Sequence, residues 1–169
     1  EHQSNGSIEN GIKQVQGKIR TQLLALESRY KGPIENANII PWLFRNAGNT
    51  ITRYHVGKDG HTAWRRLKEK SFKKEITEFG ECVWYLRLNS VGKDKLHTRW
   101  GDGVFLGDIN RSGEIIIGTK GGIIKARAFR RKGSESERWN REEIESVRGT
   151  PWEPIPGREG IKIQTHVHL

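Results

Sequence analysis

The sequence predicts an α+β fold: helices first, then a small five-stranded antiparallel β-barrel, then a short helix. Three observations carry this. Ile8, Ile12, Val15, Ile19, Leu23 and Leu26 recur at steps of four and three, the apolar stripe of a long amphipathic helix. From Phe79 the runs become short and rich in aromatic and β-branched residues, between turns of Gly, Asn and Ser. Five such runs within about fifty residues suit a small barrel.

Composition narrows the partners. The net charge is +10 and the pI near 9.9, which favours a polyanion. The charge is uneven: residues 1–80 and 81–133 each carry +6, and residues 134–169 carry −2. Cys82 is the single cysteine, which excludes an intrachain disulfide and a cysteine-based zinc site. No apolar run is long enough to span a bilayer and no signal peptide opens the chain. The expectation is an intracellular protein with no membrane partner.

Taken in order, the first helix is expected over Ser7 to Tyr30, with Ser4 or Ser7 as its cap and Asn5-Gly6 as the turn before it. Glu9 then falls in the first turn, where a carboxylate complements the helix dipole. Lys13 and Gln16 stand one and two turns on, on the same face. Glu9 therefore reads either as a helix-start carboxylate or as a metal ligand beside phosphate-facing side chains. Gly32-Pro33 ends the helix.

A second helix is expected over Ile34 to Asn46, kinked or broken at Pro41, with Trp42 in the core and Gly48-Asn49 as its end. Ile51 to Val56 bridges to a turn at Gly57-Lys58-Asp59-Gly60. Thr62 caps a short helix that Trp64 and Leu67 dock. Lys68 to Lys74, including Lys73 and Lys74, is a basic stretch, read as a solvated hinge or as a phosphate-binding tether.

Strands are expected over Phe79–Leu88, Leu96–Trp100, Val104–Gly107, Glu114–Thr119 and Ile123–Phe129, the last two joined around Lys120-Gly121-Gly122. Lys125 and Arg127 alternate with Ile124, Ala126 and Ala128, so they face outward. Arg130, Arg131 and Lys132 extend that charge, and Arg99 adds to it from a neighbouring strand. The stripe reads as a phosphate grip or as an edge guarded by charge. Ser134 to Val147 is a short amphipathic helix whose Trp139, Ile144 and Val147 cover the barrel. The Pro-rich tail from Gly149 is expected to be extended.

Several of these stretches resemble retroviral and retrotransposon integrases. Ser4-Asn5-Gly6-x-x-Glu9 resembles the last catalytic motif of that family's ribonuclease-H-like core. Gly60-His61-Thr62-Ala63-Trp64-Arg65-Arg66-Leu67 resembles the element that closes the core. Phe79-Gly80-Glu81-x-Val83 resembles the start of the C-terminal barrel, and Trp100-Gly101-Asp102-Gly103-Val104-Phe105-Leu106-Gly107 resembles a segment of its copia-like version.

The resemblance implies that residues 1–70 are the C-terminal helices of a truncated catalytic core of a Pol polyprotein. Residues 71–78 are then a basic linker, 79–148 a DNA-binding barrel with a short helix, and 149–169 a flexible tail. It implies DNA as partner, a nuclear setting, self-association through the helices, and Glu9 as the third carboxylate of a Mg²⁺ site for two-metal polynucleotidyl transfer. It also implies that Lys13 and Gln16 face DNA. The family's two upstream aspartates have no counterpart here, so this chain by itself is expected to be inactive. The alternatives are a non-enzymatic barrel that binds nucleic acid or a chromatin protein, and an inactive remnant of a transposable element.

Overall fold

A computed structural model describes residues 2–74, 77–88 and 99–158, with side chains from Asn5 onward. Three helices come first: α1 (His2–Arg29), α2 (Ile39–Tyr54) and α3 (Ala63–Lys68). A five-stranded antiparallel sheet follows: β1 (Cys82–Leu86), β2 (Trp100–Asp108), β3 (Ile115–Thr119), β4 (Gly122–Ala126) and β5 (Phe129–Arg131). Two short helices, α4 (Glu135–Arg138) and α5 (Arg141–Ser146), complete the order. The α+β expectation holds.

Helix α1 begins earlier than expected and runs straight through Asn5-Gly6. Its first turn holds no acidic residue, so Glu9 is not a helix-start carboxylate. A side chain at Gly6 would meet nothing within 4 Å, so no tertiary contact imposes a turn there. The apolar stripe is used unevenly. Ile8, Ile12 and Val15 are exposed, Ile19 and Leu23 are half-buried against the core, and Leu26 is buried. The helix ends where Lys31 takes a left-handed φ of 55° and the Gly32 N–H bonds back to the Glu27 carbonyl.

Helix α2 starts at Ile39, so Pro41 sits in the first turn, where no intrahelical N–H is lost. It also runs past Gly48-Asn49 to Tyr54. Tertiary contacts outweigh the glycine: Asn49 Nδ2 donates to the Asp108 carbonyl (3.2 Å), and Arg53 Nη1 donates to Asp108 Oδ2 (2.7 Å). Thr62 caps α3 as expected, its side chain accepting from the Arg65 N–H. Leu67 is exposed rather than docked, while Trp64 packs edge-on to Phe72.

The sheet order is β4-β3-β2-β1-β5, and no β4–β5 pairing closes it among the described residues. The expected closed barrel is therefore an open sheet. It is nevertheless strongly curled, because only Arg127 and Ala128 separate the two edge strands. Three virtual bonds of 3.8 Å hold Ala126 and Phe129 within roughly 11 Å of each other. The strand expected at Leu96 falls outside the described residues up to Thr98, and Trp100 to Asp108 form one strand rather than two.

The glycines inside β2 explain that continuity. A Cβ at Gly101 would lie 2.8 Å from the Tyr85 ring, and one at Gly103 would lie 2.3 Å from Ile117 Cγ2. They admit neighbouring side chains rather than turn the chain. Gly107, at φ 128°, does mark a bulge, where the register with β3 shifts.

Both faces of the sheet are buried over much of its area. Val83, Phe105, Ile115, Ile117 and Ala126 fill the curled interior with Tyr85, Ile124 and Phe129. Cys82, Val104, Leu106, Ile116 and Ile123 meet Leu26, Tyr30, Ile39, Trp42, Leu43, Ile144 and Val147 on the other face. That is why Ile115-Ile116-Ile117 reads as a continuous apolar run. One core thus joins α1 and α2 to the sheet.

The expected helix over Ser134–Val147 is two helices. Ser134 and Glu137 form a capping box on α4, and the Asn140 side chain accepts from the Glu142 and Glu143 N–H groups to start α5. Residues 149–158 pack rather than extend freely: Trp42 Nε1 donates to the Gly149 carbonyl (3.0 Å) and the Ile123 N–H to the Pro154 carbonyl (2.8 Å). The tail from 159 onward, with His166 and His168, lies outside the described residues.

Candidate nucleic-acid interface

Sequence reasoning singled out eight cationic residues between Lys73 and Lys132, and the structure divides them. Lys74 Nζ contacts Asp108 Oδ1 at 2.7 Å. Arg131 makes a two-pronged pair with Glu81, Nε to Oε1 at 2.8 Å and Nη2 to Oε2 at 3.0 Å, and Glu81 is fully buried. Lys132 is itself buried between Glu143 (2.6 Å) and Asp102 (2.9 Å). Burial opposes the Lys132 charge, but the two carboxylates outweigh it and hold its pKa above the ordinary lysine value. These three residues hold the fold together. Lys73 and Lys125 are exposed.

Arg99, Arg127 and Arg130 are exposed and lie on the strands and turns that flank the C-terminal end of β1, where a fourth exposed arginine, Arg87, follows Leu86 and so alternates to the face opposite Trp84 and Arg130. Sheet register does this. The Arg87 N–H donates to the Arg99 carbonyl (2.9 Å), and the Leu86 N–H donates to the Ala128 carbonyl (3.0 Å), beside Arg127. Arg130 lies directly opposite Trp84 across the β1–β5 ladder. Among the described residues none of the four has a carboxylate within ion-pair distance.

Aromatic surface accompanies the charge. Cys82, Trp84 and Leu86 alternate onto one face, opposite Val104, Asp102 and Trp100. The helices cover the Cys82–Val104 end of that face. At the other end Trp84 is 39% exposed, and the Arg130 guanidinium lies 4.7 Å from the Trp100 ring centre. This cation–π contact ties the exposed Arg130 to the sheet surface, where its donors can meet an anion.

The α1 residues form a separate surface. Glu9, Lys13 and Gln16 are all exposed on the free half of the helix. A Mg²⁺ ion takes several oxygen ligands in near-octahedral geometry. Among the described residues no group of three His, Cys, Asp or Glu side chains converges, so Glu9 stands without co-ligands. The residues present do not fit the metal, and no chemical step is assigned to Glu9. No helix among the described residues is long and apolar enough to cross a membrane.

Trp84, Arg87 and Trp100 were not among the residues singled out from sequence. Their signal was present as aromatic and basic residues at the ends of two predicted strands, but their adjacency depends on the β1–β2–β5 register. No protein-family model, no curated protein and no solved structure matches this chain.

Proposed function

We propose that the chain is a DNA-binding fragment of a retroelement integrase, acting through the arginine–tryptophan end of the sheet. The observation that carries the DNA-binding part is the placement of Arg87, Arg99, Arg127 and Arg130 around the C-terminal end of β1, exposed and, among the described residues, without carboxylate partners, with Arg130 on the face of Trp84 and Trp100. Unmatched guanidinium groups on a rigid sheet bind phosphates and release counterions. The net charge of +10 supports the same partner. The integrase part is supported by the sequence motifs alone; on that reading Glu9 serves a metal site only with carboxylates from outside this chain, and Lys13 and Gln16 extend the DNA contact along α1. Such a fragment works in the nucleus, and the exposed Ile8, Ile12 and Val15 are its self-association surface.

Binding of the full chain to duplex DNA, followed against salt, tests this. Four phosphate contacts predict a log–log slope of about −3.6. Absence of binding at low salt would remove the DNA reading altogether. A second reading, a binding module with no catalytic role, is favoured by the isolation of Glu9. Glu9→Ala in a longer integrase-like chain separates the two, since only the first requires loss of strand transfer.

A further inference from the structure

A cavity of about 370 Å³ lies between α1, α2, Phe72, Thr77 to Phe79 and β2, and none of the four arginines lines it. Its volume falls in the range of small-molecule sites. Leu26, Phe79 and Phe105 contribute apolar wall. Three polar atoms in that wall are buried and have no protein partner: Arg53 Nε, Thr77 Oγ1 and Gln22 Oε1. Arg53 is 8% exposed and Thr77 is 9% exposed.

The partners already made define what is missing. Arg53 uses Nη1 on Asp108 and Nη2 on Asn110, leaving the Nε–H as a free donor. Asp108 is shared between Arg53 and the exposed Lys74, so two cations face one carboxylate and the local charge is positive. Lys18 adds another cation to the wall, while Glu78 is already taken by Arg29. Gln22 Nε2 donates to Thr50 Oγ1, which itself donates to the Asn46 carbonyl. That chain of bonds fixes the amide and leaves its oxygen needing a donor. Unpaired buried polar atoms carry a cost that a complementary ligand removes.

We propose that this cavity binds a small carboxylic acid with an apolar body and one hydrogen-bond donor. The carboxylate meets Arg53 Nε and the Thr77 hydroxyl, the donor meets Gln22 Oε1, and the body fills the space against Leu26, Phe79 and Phe105. This site is independent of DNA binding.

The probe is 4-hydroxyphenylacetate, titrated into the ¹⁵N-labelled full chain and followed by amide chemical shifts. Saturable shifts confined to the cavity wall are expected by about 5 mM, a weak-ligand range. Phenylacetate, which lacks the donor, binds roughly tenfold more weakly, as does the probe to Thr77→Val. No shifts, or shifts spread over Arg87, Arg99, Arg127 and Arg130, overturn the proposal. Unchanged affinity in Thr77→Val does the same. Should that variant fail to fold, Ala25→Trp on the exposed face of α1 replaces it: loss of binding supports the site and retention overturns it.

Discussion

Arg130 and Arg131 are neighbours in sequence with opposite roles, and substituting each to alanine separates them. The Arg131 guanidinium clasps the Glu81 carboxylate, which is completely buried. Removing one partner of a buried pair costs roughly 3–5 kcal/mol, because the other charge is left without compensation. The Arg131 side chain is 36% exposed, so water reaches the gap and the expected cost falls to about 2–3 kcal/mol. In a chain of this size that lowers the melting temperature by roughly 4–12 °C. Arg130→Ala loses only an exposed stacking contact with Trp100 and costs about 0.5–1 kcal/mol. Urea denaturation followed by far-UV circular dichroism measures both. Adding Glu81→Gln to Arg131→Ala should restore part of the loss by removing the buried charge. If Arg131→Ala unfolds within about 0.5 kcal/mol of the parent chain, the pair is not structural and the division of the basic residues fails.

Three further outcomes are expected. Gly103→Ala puts a methyl group 2.3 Å from Ile117 Cγ2 and 3.1 Å from the Gly118 carbonyl, so thermal denaturation should show a loss of about 1–3 kcal/mol. Burial pushes the Cys82 thiol up to about 11, so it should resist alkylation in the folded chain at neutral pH. The unfolded chain loses that proton near pH 8.5, so this group's contribution to stability is complete below about pH 8.5 and declines as pH rises towards 11; Cys82→Ala should flatten that limb of the pH–stability curve. Deleting residues 1–14 removes Ile8 and Ile12, which are 63% and 52% exposed, so unfolding free energy should change by less than about 1 kcal/mol, while sedimentation should show loss of any self-association.

Much of the fold was legible because it rests on local signals. The stripe from Ile8 to Leu26, the Thr62 cap and the turn residues between β3 and β4 each specify structure within a few positions. What sequence reading missed depends on distant partners. Gly48 looked like a helix end, but the Asp108 contacts to Asn49 and Arg53 carry α2 beyond it. Gly101 and Gly103 fell between two expected strands, but they make room for Tyr85 and Ile117 from neighbouring strands. The basic residues were legible as a set but not by role. Arg130, Arg131 and Lys132 are consecutive; one stacks on Trp100, one binds a buried glutamate and one is buried between two carboxylates. Pleat direction and the placement of Glu81, Asp102 and Glu143 decide this, and neither is written in the local pattern. Arg87 joins the candidate site only through its backbone bond to Arg99.

Amide chemical-shift mapping of the full chain with a short DNA duplex tests the proposal that DNA meets the chain at the Leu86 end of the sheet. The expected changes are grouped over residues 84–87, 99–102 and 127–130, all weakening together as salt rises. Changes centred on Lys74, Arg131 and Lys132, or confined to α1 with the sheet end unaffected, would contradict it.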